Sequence, residues 1–357
     1  MNLLITYISI IPGLKNISGA GPMGLAKTHC SHPRAPLTGS VFYQNNRFPI
    51  YFGALSIDPG MLRLVCGVTL TVLFTIISFL RPVLPHSIYT SPAFQNYSIV
   101  HVETASELIQ HLKFHDLWDR VGGGVPPVVF HHFPSNITDL DNDIKKKAFL
   151  HALLPAALIA LNEVESERAA LQNILNKISN CPPELKFDRK NRSWHASLTS
   201  PEKMYLQFLI EKYRTEEVAK LLLRVNTVPV SLMLAQGAVE SSWGASRFVL
   251  EGNNIFGIWT WGKQGIIPQK REQGKNHKVA AYESLLDSVR AYLLTLNRVP
   301  AYTKLRTIRA YSMDPYDLAQ GLIYYSERRV DYVEEITSII KTNDLIRYDR
   351  FNLSMDD

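Results

Sequence analysis

Apolar residues recur at helical spacing over residues 142–180, and this is the strongest periodic pattern in the chain. The repeat predicts a long helix with one buried face. Proline lacks a backbone N–H and crowds the preceding turn, so Pro155 is expected to bend the helix, and Cys181-Pro-Pro to end it. The repeating residues are Phe149, Leu153, Ala157 and Leu161.

Two further helices and one strand are predicted around this segment. Thr104-Ala-Ser-Glu107 has the form of a capping box that opens a short helix ending near His111. The three residues Val128–Phe130 are predicted as a short strand. Residues 184–200 are predicted as a polar linker, and an apolar stripe then indicates one helix from Pro201 to about Val225.

Residues 228–244 predict a helix of about 13 residues that is buried on most of its sides. Pro229 suits the first helical position and Gly244 suits the position after the helix end. Between them the sequence is apolar on nearly every face, and Glu240 stands at the end. A carboxyl group at the C-terminus of a buried helix is costly to ionise, so its pKa should rise and favour proton donation. The alternative, a Glu240 that points into water or pairs with Arg247, is about equally consistent with the pattern alone.

The segment Leu64–Leu80 runs for 17 residues without a charge and predicts a membrane-spanning signal anchor. Residues 1–63 carry five Lys and Arg against one acid, which places the N-terminus in the cytoplasm. We therefore expect an anchor over residues 61–82, with the rest of the chain outside the cytoplasm. Residues 1–60 lack periodicity and are expected to be a poorly structured extension, for which Met61 is an alternative start. Cleavage after the apolar run is the second interpretation.

Composition excludes several classes of protein. The 357 residues are 46% hydrophobic and 20% charged, which excludes a wholly disordered chain. Three cysteines exclude a disulfide-stapled scaffold. The net charge of +6 favours anionic partners. Between residues 261 and 310 there are ten Lys and Arg against three acids. They predict a basic patch beside the candidate site at Glu240.

A metal site is the weaker interpretation of the histidines in the first half of the chain. Their spacing does not give a helical i, i+4 pair with a third ligand, and no acidic partner is fixed by the sequence. No metal and no cofactor are predicted. The histidines concerned are His101, His111, His115, His131 and His132.

An ordered series of motifs resembles the glucosaminidase domains of glycoside hydrolase family 73, peptidoglycan-cleaving enzymes with a lysozyme-like helical fold. The likeness extends over roughly residues 120–345 and is closer to the Bax-type branch. It implies a mainly α protein: a lysozyme-like domain with a small β-hairpin lobe at 227–350, after a helical region at 83–226 and the anchor. The motifs are Glu240-Ser-Ser-Trp-Gly, Gly252-Asn-Asn-Ile-Phe-Gly, Ala281-Tyr-Glu-Ser, Asn297-Arg-Val-Pro-Ala-Tyr and Tyr325-Ser-Glu-Arg.

The resemblance assigns roles to individual residues. It implies that Glu240 is the general acid, that Glu272 on the hairpin lobe assists water attack, and that Tyr332 lies near the reaction centre. Glu283 competes with Glu272 for the second role, and Glu272 is equally well explained as one solvated acid in a basic hairpin. Substrate contacts are expected from aromatic and amide side chains, although the aromatic ones could equally be core residues: Trp243, Trp259, Trp261, Asn254, Phe256, Tyr282 and Tyr325.

Two departures from the Bax-type pattern concern the surroundings of the site. Residues 259–265 hold no cysteine where a pair is common, and Arg329 stands where a glycine usually follows Ser-Glu-Arg. The expected function is an endo-β-N-acetylglucosaminidase acting on peptidoglycan strands, with no nucleic-acid partner. The rivals are a lytic transglycosylase and a catalytically idle wall-binding scaffold.

Overall fold

The computed structural model shows a mainly α protein, as the sequence predicts. It describes residues 97–120, 122–178, 186–187, 197–262, 265–268 and 276–354. The predicted anchor, the N-terminal extension, Cys181 and Glu272 lie outside these residues.

The N-terminal part combines short strands with one long helix. Strands β1 (Ser98–Val100) and β3 (Val128–Phe130) pair in parallel, as do β2 (Gly124–Val125) and the C-terminal β6 (Asn352–Leu353). Helix α1 (Ala105–Phe114) begins at Thr104, whose hydroxyl accepts a hydrogen bond from the Glu107 N–H, so this predicted start is confirmed.

Helix α2 (Asn142–Lys177) confirms the strongest periodic pattern and continues through Pro155. Within the described part of the chain it is the one helix long and apolar enough to cross a membrane. Most of its apolar window is buried inside the protein, as in the core helix of a soluble domain. It packs against α5 (Val230–Ser241) and α7 (Leu285–Arg298).

The single helix predicted from Pro201 to Val225 is wrong. The chain forms α3 (Ser200–Tyr213) and α4 (Val218–Arg224), because Arg214 ends α3 in the left-handed conformation, with φ +53°. The interruption is held by an upstream segment: the Phe187 N–H donates to the Glu216 carbonyl at 2.9 Å.

The second half of the chain consists mostly of helices. Two strands form a small antiparallel pair in which Trp259 is opposite Val279. This pair flanks the predicted hairpin lobe, but residues 269–275 are outside the described part, so the lobe stays a prediction. The elements are α6 (Arg247–Gly252), β4 (Trp259–Thr260), β5 (Lys278–Val279), α8 (Thr303–Arg309), α9 (Pro315–Ala319) and α10 (Val330–Thr342).

The hydrophobic core does not divide at the predicted boundary between residues 226 and 227. One core joins β1, β3 and most of α2 to α5, α7 and α10. A smaller core joins the end of α2 to α3 and α4. The N-terminal helices therefore build part of the scaffold that holds α5 in place.

Candidate active site

Glu240 lies in the last turn of α5, which is buried over most of its surface. The helix ends at Ser241, close to the end predicted with Gly244 as the position after the helix, and Ser242, Trp243 and Gly244 all have positive φ. The Ser241 hydroxyl secures this end: it donates to the Gly237 carbonyl at 2.5 Å and accepts from the Gly244 N–H at 2.8 Å. The chain thus turns away directly after Glu240.

A chain of hydrogen bonds leads to the Glu240 carboxyl. The Tyr292 hydroxyl donates to Gln236 Oε1 at 2.6 Å, and Gln236 Nε2 donates to the Tyr332 hydroxyl at 3.0 Å. Tyr332 in turn donates to Glu240. Gln236 and Glu240 are one turn apart on α5, so they share a face. The structure thereby brings Tyr332 to Glu240, where the resemblance placed it.

Burial raises the pKa of the Glu240 carboxyl above its ordinary value, because the charged form loses hydration. The hydrogen bond from Tyr332 and the charge of Arg328 oppose this rise, and the charge of Glu335 adds to it. Among the described residues no Lys or Arg forms an ion pair with Glu240. Arg247 pairs instead with Glu251 at 3.6 Å, which contradicts the alternative of a Glu240–Arg247 pair.

Aromatic rings enclose the hydrogen-bonded chain. Tyr325 stacks parallel to Tyr332 with ring centroids 5.6 Å apart, and its hydroxyl donates to the Phe256 carbonyl at 2.8 Å. The Phe256 ring stacks on Tyr292 at 4.0 Å. Burial together with the Glu240 charge raises the pKa of Tyr302 to about 12, so this phenol stays protonated at neutral pH.

Gly257 allows the backbone to approach the carboxyl closely. Its φ is +62°, and a Cβ at this position would lie 3.2 Å from Glu240 Oε2. A side chain here would strain the backbone and crowd the acid.

The Asn254 side chain forms hydrogen bonds with backbone groups in this structure. Only 1% of the residue is exposed, and its amide bonds the Ile258 carbonyl and N–H and the Ala280 carbonyl at 2.8–2.9 Å. These bonds tie the start of β4 to the end of β5. Asn254 therefore positions the strand pair, and a direct contact with substrate would require these bonds to break.

Three other predicted residues are not brought to Glu240 by their described contacts. The Trp243 ring packs edge-on against Phe149 in the core, at 5.9 Å. Tyr282 and Glu283 line a different cavity, together with His131 and His132. Trp259 and Trp261 on and after β4 are exposed by 53% and 75%. Trp259 stacks on His277 at 4.3 Å, which covers one of its faces.

The predicted basic patch is smaller than the sequence indicates. Arg306 and Arg309 are buried and donate to backbone carbonyls near the ends of α7 and α4. Arg290 is paired with Glu163 and Asp287. These three guanidinium groups are committed to internal contacts.

Sequence reasoning assigned no role to Gln236, Tyr292 or Tyr302. A signal for Gln236 was available, since a buried amide four residues before Glu240 shares its helix face. Arg329, the departure before α10, has φ +54°. A glycine would adopt this conformation without strain.

Comparisons with known proteins concern mainly the second half of the chain. Residues 216–345 match the glucosaminidase family, described as mannosyl-glycoprotein endo-beta-N-acetylglucosaminidase. The predicted resemblance to Bax-type glucosaminidase domains is thereby confirmed. Glu240 and Tyr332 both lie inside the matched region.

Two curated bacterial proteins are similar to the chain. Protein bax of Escherichia coli is 26% identical over 175 residues, which are 46% of this chain and 56% of that protein. The peptidoglycan hydrolase FlgJ of Salmonella typhimurium is 29% identical over 136 residues, 34% of this chain and 42% of that protein. The chain thus spans about half the length of these relatives. No solved structure matches it significantly.

Proposed function

We propose that the glucosaminidase domain hydrolyses peptidoglycan strands as an endo-β-N-acetylglucosaminidase, with Glu240 as the general acid. The observation that carries the proposal is a partly buried carboxyl with a raised pKa, one phenolic donor and no ion-pair partner among the described residues. A raised pKa favours the protonated carboxyl, which can give its proton to the leaving oxygen of a glycosidic bond. The printed name of the FlgJ relative supports peptidoglycan as the substrate.

The tyrosines around Glu240 have a positioning role in this proposal. Tyr332 fixes the orientation of the carboxyl, and Gln236 and Tyr292 fix Tyr332. After proton transfer, the hydrogen bond from Tyr332 stabilises the carboxylate that forms. The exposed Trp259 and Trp261 are the proposed stacking surfaces for sugar rings, since aromatic rings present flat apolar faces.

The second half of the reaction needs water, and we assign its activation to Glu272 or to the acetamido group of the substrate. Glu283 is the weaker choice because it lines the other cavity. If Glu272 acts and its carboxyl is far from that of Glu240, the route is inverting. If no carboxyl other than Glu240 takes part, the route is substrate-assisted.

The proposed location is the periplasmic face of a bacterial inner membrane, with residues 64–80 as a single anchor. The uncharged run of 17 residues and the excess of Lys and Arg before it support this topology. Peptidoglycan lies in the same compartment.

The test is product analysis with the full chain purified in detergent. Purified peptidoglycan is digested, and the fragments are reduced and analysed by mass spectrometry. Fragments with a reducing N-acetylglucosamine end, absent with Glu240→Gln and present with Glu167→Gln, would support the proposal. Anhydro-sugar ends would show a lytic transglycosylase instead. Glycan binding without products, unchanged in Glu240→Gln, would show a wall-binding scaffold.

A further inference from the structure

Three histidines meet at one end of the small parallel strand pair. Strands β1 and β3 are in register from Ser98 opposite Val128 to Val100 opposite Phe130. His101 and His131 are the next residues on the two strands, and the His131 N–H donates to the Val100 carbonyl at 2.9 Å. The carboxyl ends of paired parallel strands lie at the same edge, so the two imidazoles are brought together, and His132 follows directly.

The ring nitrogens are close enough to bind one ion. One nitrogen from each of His101, His131 and His132 lies within 4.8 Å of the other two. The Nδ1 atoms of His131 and His132 are 3.1 Å apart, and the rings of His101 and His131 stack at 4.4 Å. Two ligand nitrogens on a tetrahedral zinc ion, each at about 2.0–2.1 Å from it, would be about 3.4 Å apart. The His131–His132 pair already has nearly this spacing, and the His101 ring would have to turn from its stacked position to bring the other two pairs, now within 4.8 Å, to it.

The surroundings suit a cation that is open to solvent. His131 and His132 border a cavity of about 470 Å³ that also has the carboxyl side chains of Glu251 and Glu283 in its wall. Glu251 is paired with Arg247, whereas Glu283 is exposed on the rim.

We propose that His101, His131 and His132 bind a single Zn²⁺ ion, with a water molecule or Glu283 in the fourth position. Three imidazoles favour zinc and its neighbours in the first transition row over Mg²⁺ and Ca²⁺, which prefer oxygen ligands. Glu240 is not among the residues that line this cavity, so the site is separate from the proposed acid. A bound ion would link the β1–β3 edge to the loop before α7.

The test is metal binding by the full chain, purified in detergent and stripped with a chelator. Titration with ZnCl₂ followed by calorimetry should show one ion per chain, and MgCl₂ and CaCl₂ should give no binding. Co²⁺ in place of Zn²⁺ should give the visible spectrum of a four-coordinate site. The Tm of the stripped protein should rise when zinc is added.

Variants assign the ligands. His101→Gln changes an exposed residue and should weaken zinc binding by about 100-fold or more while the fold is kept, and His132→Ala should do the same. Glu283→Gln should weaken binding by about 10-fold. The matched control is His115→Gln, since His115 pairs with His111 on α1 and lies outside the cluster.

Two outcomes would overturn the proposal. Absence of zinc binding to the stripped chain would leave the 3.1 Å contact as a hydrogen bond between the two imidazoles. Zinc binding that is equal in wild type, His101→Gln and His132→Ala would place the ion elsewhere. Far-UV circular dichroism of each variant shows whether a loss of binding reflects loss of fold.

Discussion

Two glutamates on buried helices have opposite surroundings. Glu167 on α2 accepts hydrogen bonds from Lys212 Nζ at 2.5 Å and from the Tyr213 hydroxyl at 2.6 Å. Glu240 on α5 has a phenolic donor as well, Tyr332, but no cation pairs with it among the described residues. Glu167 is buried and Glu240 is partly buried, each on a core helix beside a tyrosine, and the clearest difference is the lysine.

The lysine decides what each carboxyl can do. A buried carboxylate with an ammonium partner has its charge compensated, and breaking the pair is costly. A buried carboxyl without a cation gains by holding its proton, which is the state of a general acid. Burial alone therefore does not indicate a catalytic glutamate; burial without a counter-charge does.

The largest effect is expected from exchanging the acid itself. Glu240→Gln should lower kcat for peptidoglycan cleavage by about 10²–10⁴-fold, because an amide cannot donate the proton. Glu167→Gln should leave kcat within about 2-fold. Both rates are measured by release of soluble fragments at saturating substrate. Equal losses in the two variants would show that Glu240 acts through the fold and not as the acid.

The second prediction concerns stability, and here the large effect is expected from Glu167 and not from Glu240. Glu167→Gln should reduce the free energy of unfolding by about 1–3 kcal/mol, because Lys212 loses its counter-charge in a largely buried position. Urea denaturation followed by circular dichroism measures this change. Glu217→Gln is the control, since it removes a more exposed pair with Lys220 and should cost about 0.5 kcal/mol or less. A Glu167 variant as stable as that control would remove the structural half of the comparison.

The sequence predicts the buried helix that carries Glu240, but it does not predict which side chains contact the carboxyl. The apolar pattern around residues 228–244 predicts a buried helix that ends near Glu240. Which donors reach the carboxyl depends on how α7 and α10 pack against α5, and no local pattern encodes that. The same limit explains Arg306 and Arg309, which a count of charges assigns to the surface although they donate to helix carbonyls at the ends of α7 and α4.

Helix ends were the least predictable local feature. Arg214 and Ser242 end α3 and α5 in the left-handed region, and neither is the glycine that marks such ends in sequence. A tertiary contact holds the first end, since the segment at Phe187 bonds Glu216 after α3. A local contact holds the second, since the Ser241 hydroxyl bonds the Gly244 N–H in the turn after α5. Neither contact follows from the pattern of apolar and polar residues.

A smaller effect on activity should follow from removing the tyrosine hydroxyl beside each glutamate, Tyr332 for Glu240 and Tyr213 for Glu167. The hydrogen bond from Tyr332 stabilises the ionised form of Glu240 and so opposes the rise in its pKa. In Tyr332→Phe the pKa of Glu240 should rise further, and the alkaline limb of kcat/KM should move to higher pH, with about a 10-fold loss at the optimum. Tyr213→Phe removes the donor of Glu167 and should leave the pH profile in place. A profile that shifts equally in both variants would contradict the assignment of that limb to Glu240.

The smallest effect is a pH-dependent difference in Tm between wild type and Glu240→Gln. The pKa of Glu240 is raised in the folded state, so the unfolded chain loses this proton at a lower pH than the folded chain does. Below the ordinary glutamate pKa both states are protonated and the residue is neutral, as the glutamine is. As pH rises from there through the raised pKa, wild type should lose stability relative to Glu240→Gln, and the difference should level off above it.

Scanning calorimetry from pH 4 to 9 should therefore show Glu240→Gln gaining Tm over wild type as pH increases. A difference that is constant over this range would mean that folding does not change the pKa of Glu240, and the contrast with Glu167 would lose its physical basis.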